Sequence, residues 1–390
     1  MAVPLAMDRR DFLRAAAAST ALLASGCGPR TPEQVRAVPQ RPTDDIRLRV
    51  LRYAVLAPSS HNSQPWLVQM TPNGMNLFVD RSRLLPGADP SARQAHISQG
   101  TFLELLKIAA PQFGYRAEIT CFPAGEYANT AVEDQPVAAI ALRPDPWAVT
   151  DPLFAEIPRR QTNRRAYNRH QPLSAAELAT LRSAPGAEQR IWRITDSEAE
   201  REAVAGICKE AMAVEVSSPD RNRETAAWFR FSDRELQVKR DGFGMAQGGA
   251  EGIRKWIAET FVLSRQRAAD PAGAFAQGAI SQAADQAGSA PVFAALVGTT
   301  NTRLEQVLAG RAYARIHLTA SRLGLAMQPF SQALEEYAQM TAVQRRLKQT
   351  LSVAEDQTIQ MLFRLGHARP TTPGPRRDAA ALIRQQTAND

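Results

Sequence analysis

Ser59, Ser60 and Asn62 stand in the run Ala57-Pro58-Ser59-Ser60-His61-Asn62-Ser63-Gln64-Pro65-Trp66, where two short hydroxyls and an amide can hydrogen-bond a flat polar ligand. The same residue types are ordinary turn formers, so the run by itself also fits a loop with no ligand. A second polar concentration, Arg159-Arg160-Gln161-Thr162-Asn163-Arg164-Arg165-Ala166-Tyr167, sets four arginines around a hydroxyl and an amide. Guanidinium groups bind phosphate oxygens bidentately, and a solvated basic face is the plainer alternative. Other chemistries lack their residues. Five histidines are scattered without HExxH or paired-ligand spacing, so no metal is expected. Cys121 and Cys208 fall in an expected strand and helix, where buried thiols are common. No Gly-x-Ser-x-Gly elbow exists. Asp241-Gly242-Phe243-Gly244-Met245-Ala246-Gln247-Gly248 lacks both the spacing and the preceding strand of a dinucleotide loop.

Neighbouring elements must hold these groups. Ile46, Val50, Leu51, Tyr53, Ala54 and Leu56 have helical spacing, and Pro58 ends that helix because the residue before a proline is pushed out of the α region. Trp66-Leu67-Val68-Gln69-Met70 and Met75-Asn76-Leu77-Phe78-Val79 flank Asn73-Gly74 and predict a hairpin. The polar run therefore sits at a helix-to-strand corner, exposed and anchored on both sides. Val137 to Leu142 and Pro291 to Val297 are short apolar runs that predict buried strands.

The first run resembles the flavin-contacting loop of the FMN-dependent nitroreductase family, a Pro-Ser-x-x-Asn-x-Gln-Pro-Trp segment after the first core helix. The arginine run resembles that family's Arg-x-Ser-x-Arg-x-Phe phosphate segment, with one residue more between Thr162 and Tyr167. The resemblance implies non-covalent FMN with Arg160, Thr162, Arg164, Arg165 and Arg376 at the phosphate. It implies Pro58, Ser59, Ser60 and Asn62 against the ribityl chain and ring. In Leu323-Gly324-Leu325-Ala326-Met327-Gln328-Pro329-Phe330-Ser331 it implies Gln328 near the flavin and the Ser331 backbone N–H near N5. Chemistry would then belong to the flavin, with NAD(P)H as electron donor and a nitroaromatic or quinone-like acceptor; no catalytic side chain is identified. A flavin-binding or sequestering protein with little turnover is the alternative.

The order of the two segments is reversed relative to an ordinary member of the family, which binds FMN between two identical subunits. A chain of 390 residues can hold both halves, and an internal repeat supports this. Gly100 and Gly114 bracket one amphipathic helix, Gly310 and Gly324 another, both with fourteen-residue spacing. One offset superposes Leu106 on Ile316, Ala110 on Ala320, Phe113 on Leu323 and Tyr115 on Leu325. The expected fold is α+β and nitroreductase-like: two pseudo-symmetric halves in one chain, with mixed sheets surrounded by helices, similar to the Acg-like branch. The expected segments are a leader 1–27, a linker 28–44, halves 45–150 and 151–380 and a tail 381–390. Only one composite flavin site is expected in a monomer acting as a pseudo-dimer. An excursion at 220–250 fits neither repeat; a lid and a peripheral helical pair are both open.

Asp8-Arg9-Arg10-Asp11-Phe12-Leu13-Arg14, followed by the apolar run Ala15 to Ala24, resembles a twin-arginine export signal. That run is half the roughly twenty residues a bilayer span needs. Ala24-Ser25-Gly26-Cys27 resembles a lipoprotein cleavage box, leaving lipidation at Cys27 and simple cleavage both open. The expectation is export by the twin-arginine machinery to the periplasm, or tethering through Cys27 on the outer side of the cytoplasmic membrane. The formal charge of +8 is dispersed without interleaved aromatics, which argues against a nucleic-acid partner.

Overall fold

The computed structural model describes residues 43–185, 191–195, 197–250, 255 and 264–384. The twin-arginine-like run, Cys27 and all but the end of the linker lie outside the described residues, as do residues 385–390 of the tail.

Two four-stranded antiparallel sheets carry the same strand order. The first is β1 (Trp66–Thr71), β2 (Gly74–Val79), β4 (Ala138–Pro144) and β3 (Tyr115–Cys121), side by side in that order. The second is β5 (Ile191–Ile194), β6 (Val292–Gly298), β8 (Thr358–Gly366) and β7 (Ala326–Pro329). Isolated parallel bridges lie on an edge strand of each sheet: Ile383 on Val68 of β1 and Thr162 on Met327 of β7. The sequence explains the contrast between strands. In β3, Tyr-Arg-Ala-Glu-Ile-Thr-Cys alternates with one face outward, whereas every residue of Val-Phe-Ala-Ala-Leu-Val-Gly in β6 is buried.

Before β1 comes α1 (Ile46–Ala54), and between β2 and β3 comes α2 (Arg93–Ala109). The second half repeats this with α3 (Ala175–Ser183) before β5 and, further on, α8 (Arg303–Arg322) between β6 and β7. Gly114 and Gly324 follow the two long helices in left-handed conformation, at φ of 75° and 71°, and turn the chain into β3 and β7. The helices α2 and α8 are the centre of the molecule. They cross where a Cβ on Gly100 would fall 1.9 Å from the Val307 carbonyl oxygen, and one on Gly310 would fall 2.0 Å from that of Ile97. Ile97 pairs with Val307 by the offset that pairs Gly100 with Gly310, so the crossing lies on the pseudo-twofold axis of a duplicated unit. Glycine is required there because the helix backbones touch.

The excursion is inserted between β5 and β6, the counterparts of strands that in the first half are joined by a tight turn. The whole insertion is longer than the expected 220–250 and, among the described residues, contains α4 (Glu198–Val216), α5 (Pro219–Trp228), α6 (Asp233–Lys239) and α7 (Ala274–Gly288); α9 (Thr341–Thr350) follows β7. After β8 the chain crosses to the first half. There the Arg384 amide donates to the Val68 carbonyl (2.8 Å), and Ala379 and Leu382 enter the first core.

Candidate functional site

The loop after α1 has an unusual backbone. His61, Asn62 and Gln64 hold φ near 50°, a left-handed conformation that costs non-glycine residues strain unless neighbours impose it. They do. Ser59 Oγ accepts the Gln64 amide hydrogen at 3.0 Å, and Thr101 Oγ1 on α2 donates to the Pro58 carbonyl at 2.7 Å. The Gln64 side chain donates to the Arg240 carbonyl (2.9 Å) and accepts from the Arg377 amide (2.8 Å). Asn62 Nδ2 donates to the carbonyls of Gly242 (2.8 Å) and Pro375 (3.1 Å), while its buried Oδ1 has no partner among the described residues. Ser60 remains half-buried beside His61, with Oγ 3.3 Å from Nδ1.

Two arginines from distant parts of the chain converge on this corner. Arg160, 1% exposed, donates from Nη2 to the Leu56 carbonyl (3.3 Å), and its Nε is a buried donor without a partner. Arg376, 5% exposed, donates to Ala57 (3.2 Å) and Leu56 (3.5 Å), and from Nη1 to Gly374 and Pro375. His317 on α8 steadies Arg160: Nε2 donates to the Gln161 carbonyl at 2.9 Å, so Nδ1 faces Arg160 Nη1 (3.4 Å) as an acceptor. Arg164 is half-buried, with its guanidinium carbon 5.7 Å from the centre of the Phe243 ring.

None of these three arginines has a carboxylate partner among the described residues. Burial pulls Arg160 down to about 10, and burial together with the neighbouring Arg160 charge pulls Arg376 down to about 9. Arg164 is lowered by the same loss of water. His61 is held neutral, at about 4, first by burial and then by the Arg164 charge. Carbonyl dipoles compensate a buried cation only partly. An anion entering this corner would gain what the protein withholds.

The other expected site residues are placed differently. Thr162 forms a backbone bridge with Met327, and the Asn163 amide donates to the Met327 carbonyl at 3.1 Å, so the arginine segment lies along the edge of β7. Arg165 turns to the C-terminal segment, Nε donating to the Pro370 carbonyl at 3.1 Å. The Gln328 side chain is committed: its oxygen accepts from Arg364 Nε (2.9 Å) and its nitrogen donates to Gln286 Oε1 (2.7 Å). Ser331 is half-buried at the start of a short 3-10 turn, its carbonyl accepting the Leu334 amide. Pro58 orders the loop through its carbonyl.

Sequence reasoning missed Arg364 and His317. Arg364 is fully buried, donating from Nη2 to the Arg165 carbonyl (2.6 Å) and from Nη1 to Ser289 Oγ (2.8 Å), with Tyr167 stacked 3.7 Å away. It ties the arginine segment to β8. An arginine inside the apolar run Met361-Leu362-Phe363-Arg364-Leu365 was the available signal.

Part of the excursion packs on the same loop. The Gly242 amide donates to the Asn62 carbonyl (3.2 Å), the Phe243 ring lies 5.7 Å from that of His61, and Asp241 pairs with Arg83 (3.0 Å) and Arg230 (2.6 Å). At the pseudo-symmetric place the picture reverses. The counterpart of Thr101 is Arg311, which pairs with Glu104 at 2.9 Å; Arg315 bonds Glu104, Asp151 and the Ala184 carbonyl. Among the described residues, that corner pairs its arginines with its own carboxylates.

No protein-family model matches the chain. It is 29% identical over 341 residues to Rv3131 of Mycobacterium tuberculosis, a protein whose name assigns it as an NAD(P)H nitroreductase, covering 86% of this chain and 90% of the relative. The similarly named acg of the same organism is 35% identical over 81 residues, 21% of this chain and 24% of that protein. PigM of Serratia, also named an NAD(P)H nitroreductase, is 28% identical over 201 residues, 50% of this chain and 53% of that one. Among solved structures, a nitroreductase-titled protein of Anabaena variabilis superposes with a TM-score of 0.42 at 12% identity, over 85% of this chain and 90% of the other. Both of its measures are low. The chain is thus a homologue of proteins named NAD(P)H nitroreductases, over 86% of its length for Rv3131 and over 21% for acg.

Proposed function

We propose that the chain binds one FMN non-covalently at the corner between α1, the arginine segment and β7, and that it is an oxidoreductase of the nitroreductase type. The carrying observation is that buried Arg160 and Arg376 and half-buried Arg164, beside the Ser59–Asn62 loop, have no carboxylate partner among the described residues. Orphaned buried atoms at Asn62 and Arg160 fit a ligand rich in acceptors at one end and mixed in polarity at the other. Arg160, Arg164 and Arg376 would hold the phosphate, with Thr162 and Arg165 ordering the segment that carries them. Ser59, Ser60 and Asn62 would orient the ribityl chain and ring, and the Ser331 backbone would border the reactive edge. When bound, FMN supplies hydride chemistry, taking electrons from NAD(P)H and passing them to a small nitroaromatic or quinone-like acceptor. The protein supplies orientation, exclusion of water and positive charge. His61, held neutral, does not add a second positive charge beside Arg164.

Flavin extraction from the purified chain tests the composite site. One FMN per chain is expected, because the pseudo-symmetric corner is neutralised by Glu104 and Asp151; two per chain, or none after reconstitution, overturns it. Anaerobic mixing with NADH or NADPH tests the activity, bleaching of the flavin being the expected result. A sequestering protein with little turnover is the second reading. It is favoured by the packing of Gly242 and Phe243 on the loop, and a flavin that binds yet is not bleached by either donor would select it.

A further inference from the structure

Tyr313 on α8 is 2% exposed, and its hydroxyl has no hydrogen-bond partner among the described residues. The ring is fixed edge-on to Phe363 and His317, each 5.6 Å away between centroids. Phenylalanine would fill the same space without burying a polar oxygen, so packing gives no reason for the hydroxyl. The same His317 ring holds Arg160 Nη1 at 3.4 Å, so the Tyr313 ring and the Arg160 guanidinium flank one imidazole, and the charges of Arg160 and Arg164 favour the ionised phenol. Burial pushes the phenol up, so it remains a protonated donor. Arg160 Nε is a second buried donor without an acceptor. Two buried donors, the Tyr313 hydroxyl and Arg160 Nε, thus lie beside positive charge without an acceptor of their own among the described residues, and the missing group is an anion with several oxygens.

We propose that the Tyr313 hydroxyl is a ligand-binding group of this site, donating to a phosphate oxygen held between Arg160 and Arg164. The ligand class is a phosphate monoester. It is FMN on the reading above, on which this inference rests; inorganic phosphate shares the same chemistry and is distinguished by the test.

Tyr313→Phe removes one oxygen and keeps the ring. Wild type and variant, full-length and dialysed free of bound ligand, are titrated with FMN and riboflavin by flavin fluorescence and with inorganic phosphate by thermal shift. FMN affinity is expected to fall about tenfold, which is about 1.4 kcal/mol. Riboflavin affinity should hardly change, the phosphate-induced shift should shrink, and the ligand-free variant should melt no lower than wild type. Unchanged FMN affinity, or an equal loss for both flavins, overturns the assignment, since the second outcome marks a packing role. If wild type binds neither flavin but is stabilised by phosphate, and the variant is not, the flavin reading falls and the role of Tyr313 stands. If wild type responds to none of the three, both fall.

Discussion

Replacing Arg164 with Ala separates phosphate recognition from structural charge. Its guanidinium makes no hydrogen bond or ion pair among the described residues, and its central carbon lies 5.7 Å from the centre of the Phe243 ring. The ligand-free fold therefore loses little, and relief of an uncompensated charge near His61 and Arg364 works in its favour. A charge-assisted hydrogen bond to phosphate contributes about 1.5–3 kcal/mol, so FMN affinity should fall by roughly ten- to a hundredfold. Riboflavin lacks the phosphate and should bind nearly as before. Arg165→Ala is the control: its Nε serves the Pro370 carbonyl, so the loss of FMN affinity should be the smaller of the two. The assay is equilibrium titration with both flavins, with the His61 imidazole followed by NMR. Its pKa should rise from about 4, because Arg164 is the second cause of its depression after burial. Wild-type FMN affinity in Arg164→Ala would refute the phosphate role, and an equal loss for riboflavin would mean that the loop, not the anion site, was damaged.

Gly100→Ala and Gly310→Ala should each destabilise the chain by about 1–3 kcal/mol or more, because the added methyl meets a backbone carbonyl that cannot rotate away; denaturant unfolding measures this, and unchanged midpoints would mean that the helix crossing is looser than described. Glu215 is 4% exposed and burial raises its carboxyl from 4.5 to about 7. A raised folded value means the unfolded chain loses its proton first, so stability contributed below pH 4.5 is lost as pH rises toward 7, by up to about 3 kcal/mol. Glu215→Gln should accordingly stabilise the protein more at pH 8 than at pH 5 in urea unfolding, and equal effects at both would exclude a buried neutral acid. Export is tested by changing Arg9 and Arg10 to Lys, which should retain the protein in the cytoplasm. Cys27→Ala should release it from membranes where lipidation occurs, and unchanged fractionation of both variants would make the N-terminus an ordinary tail.

Much of the architecture follows from local chemistry that the sequence carries openly. Asn73-Gly74 between alternating apolar residues closes β1 onto β2, and Pro58 ends α1 through a steric rule that needs no distant partner. The repeated glycines mark duplication because a left-handed turn at Gly114 and Gly324, and backbone contact at Gly100 and Gly310, tolerate no other residue equally well. Arg160 and Ser59 stood out as candidate binding residues from type and company alone. Their partners did not. That Arg160 and Arg376 share the Leu56 carbonyl, that Arg165 faces away toward Pro370, and that Gln328 is spent on Arg364 depend on contacts between residues far apart in sequence. Whether an arginine is a surface charge or an anion site depends on which carboxylates stand near it, and only packing sets that. Among the described residues, the tertiary structure leaves Arg160, Arg164 and Arg376 without such partners and gives Arg311 and Arg315 theirs. Two corners of similar origin thereby become one cluster of arginines without carboxylates among the described residues and one ion-pair network.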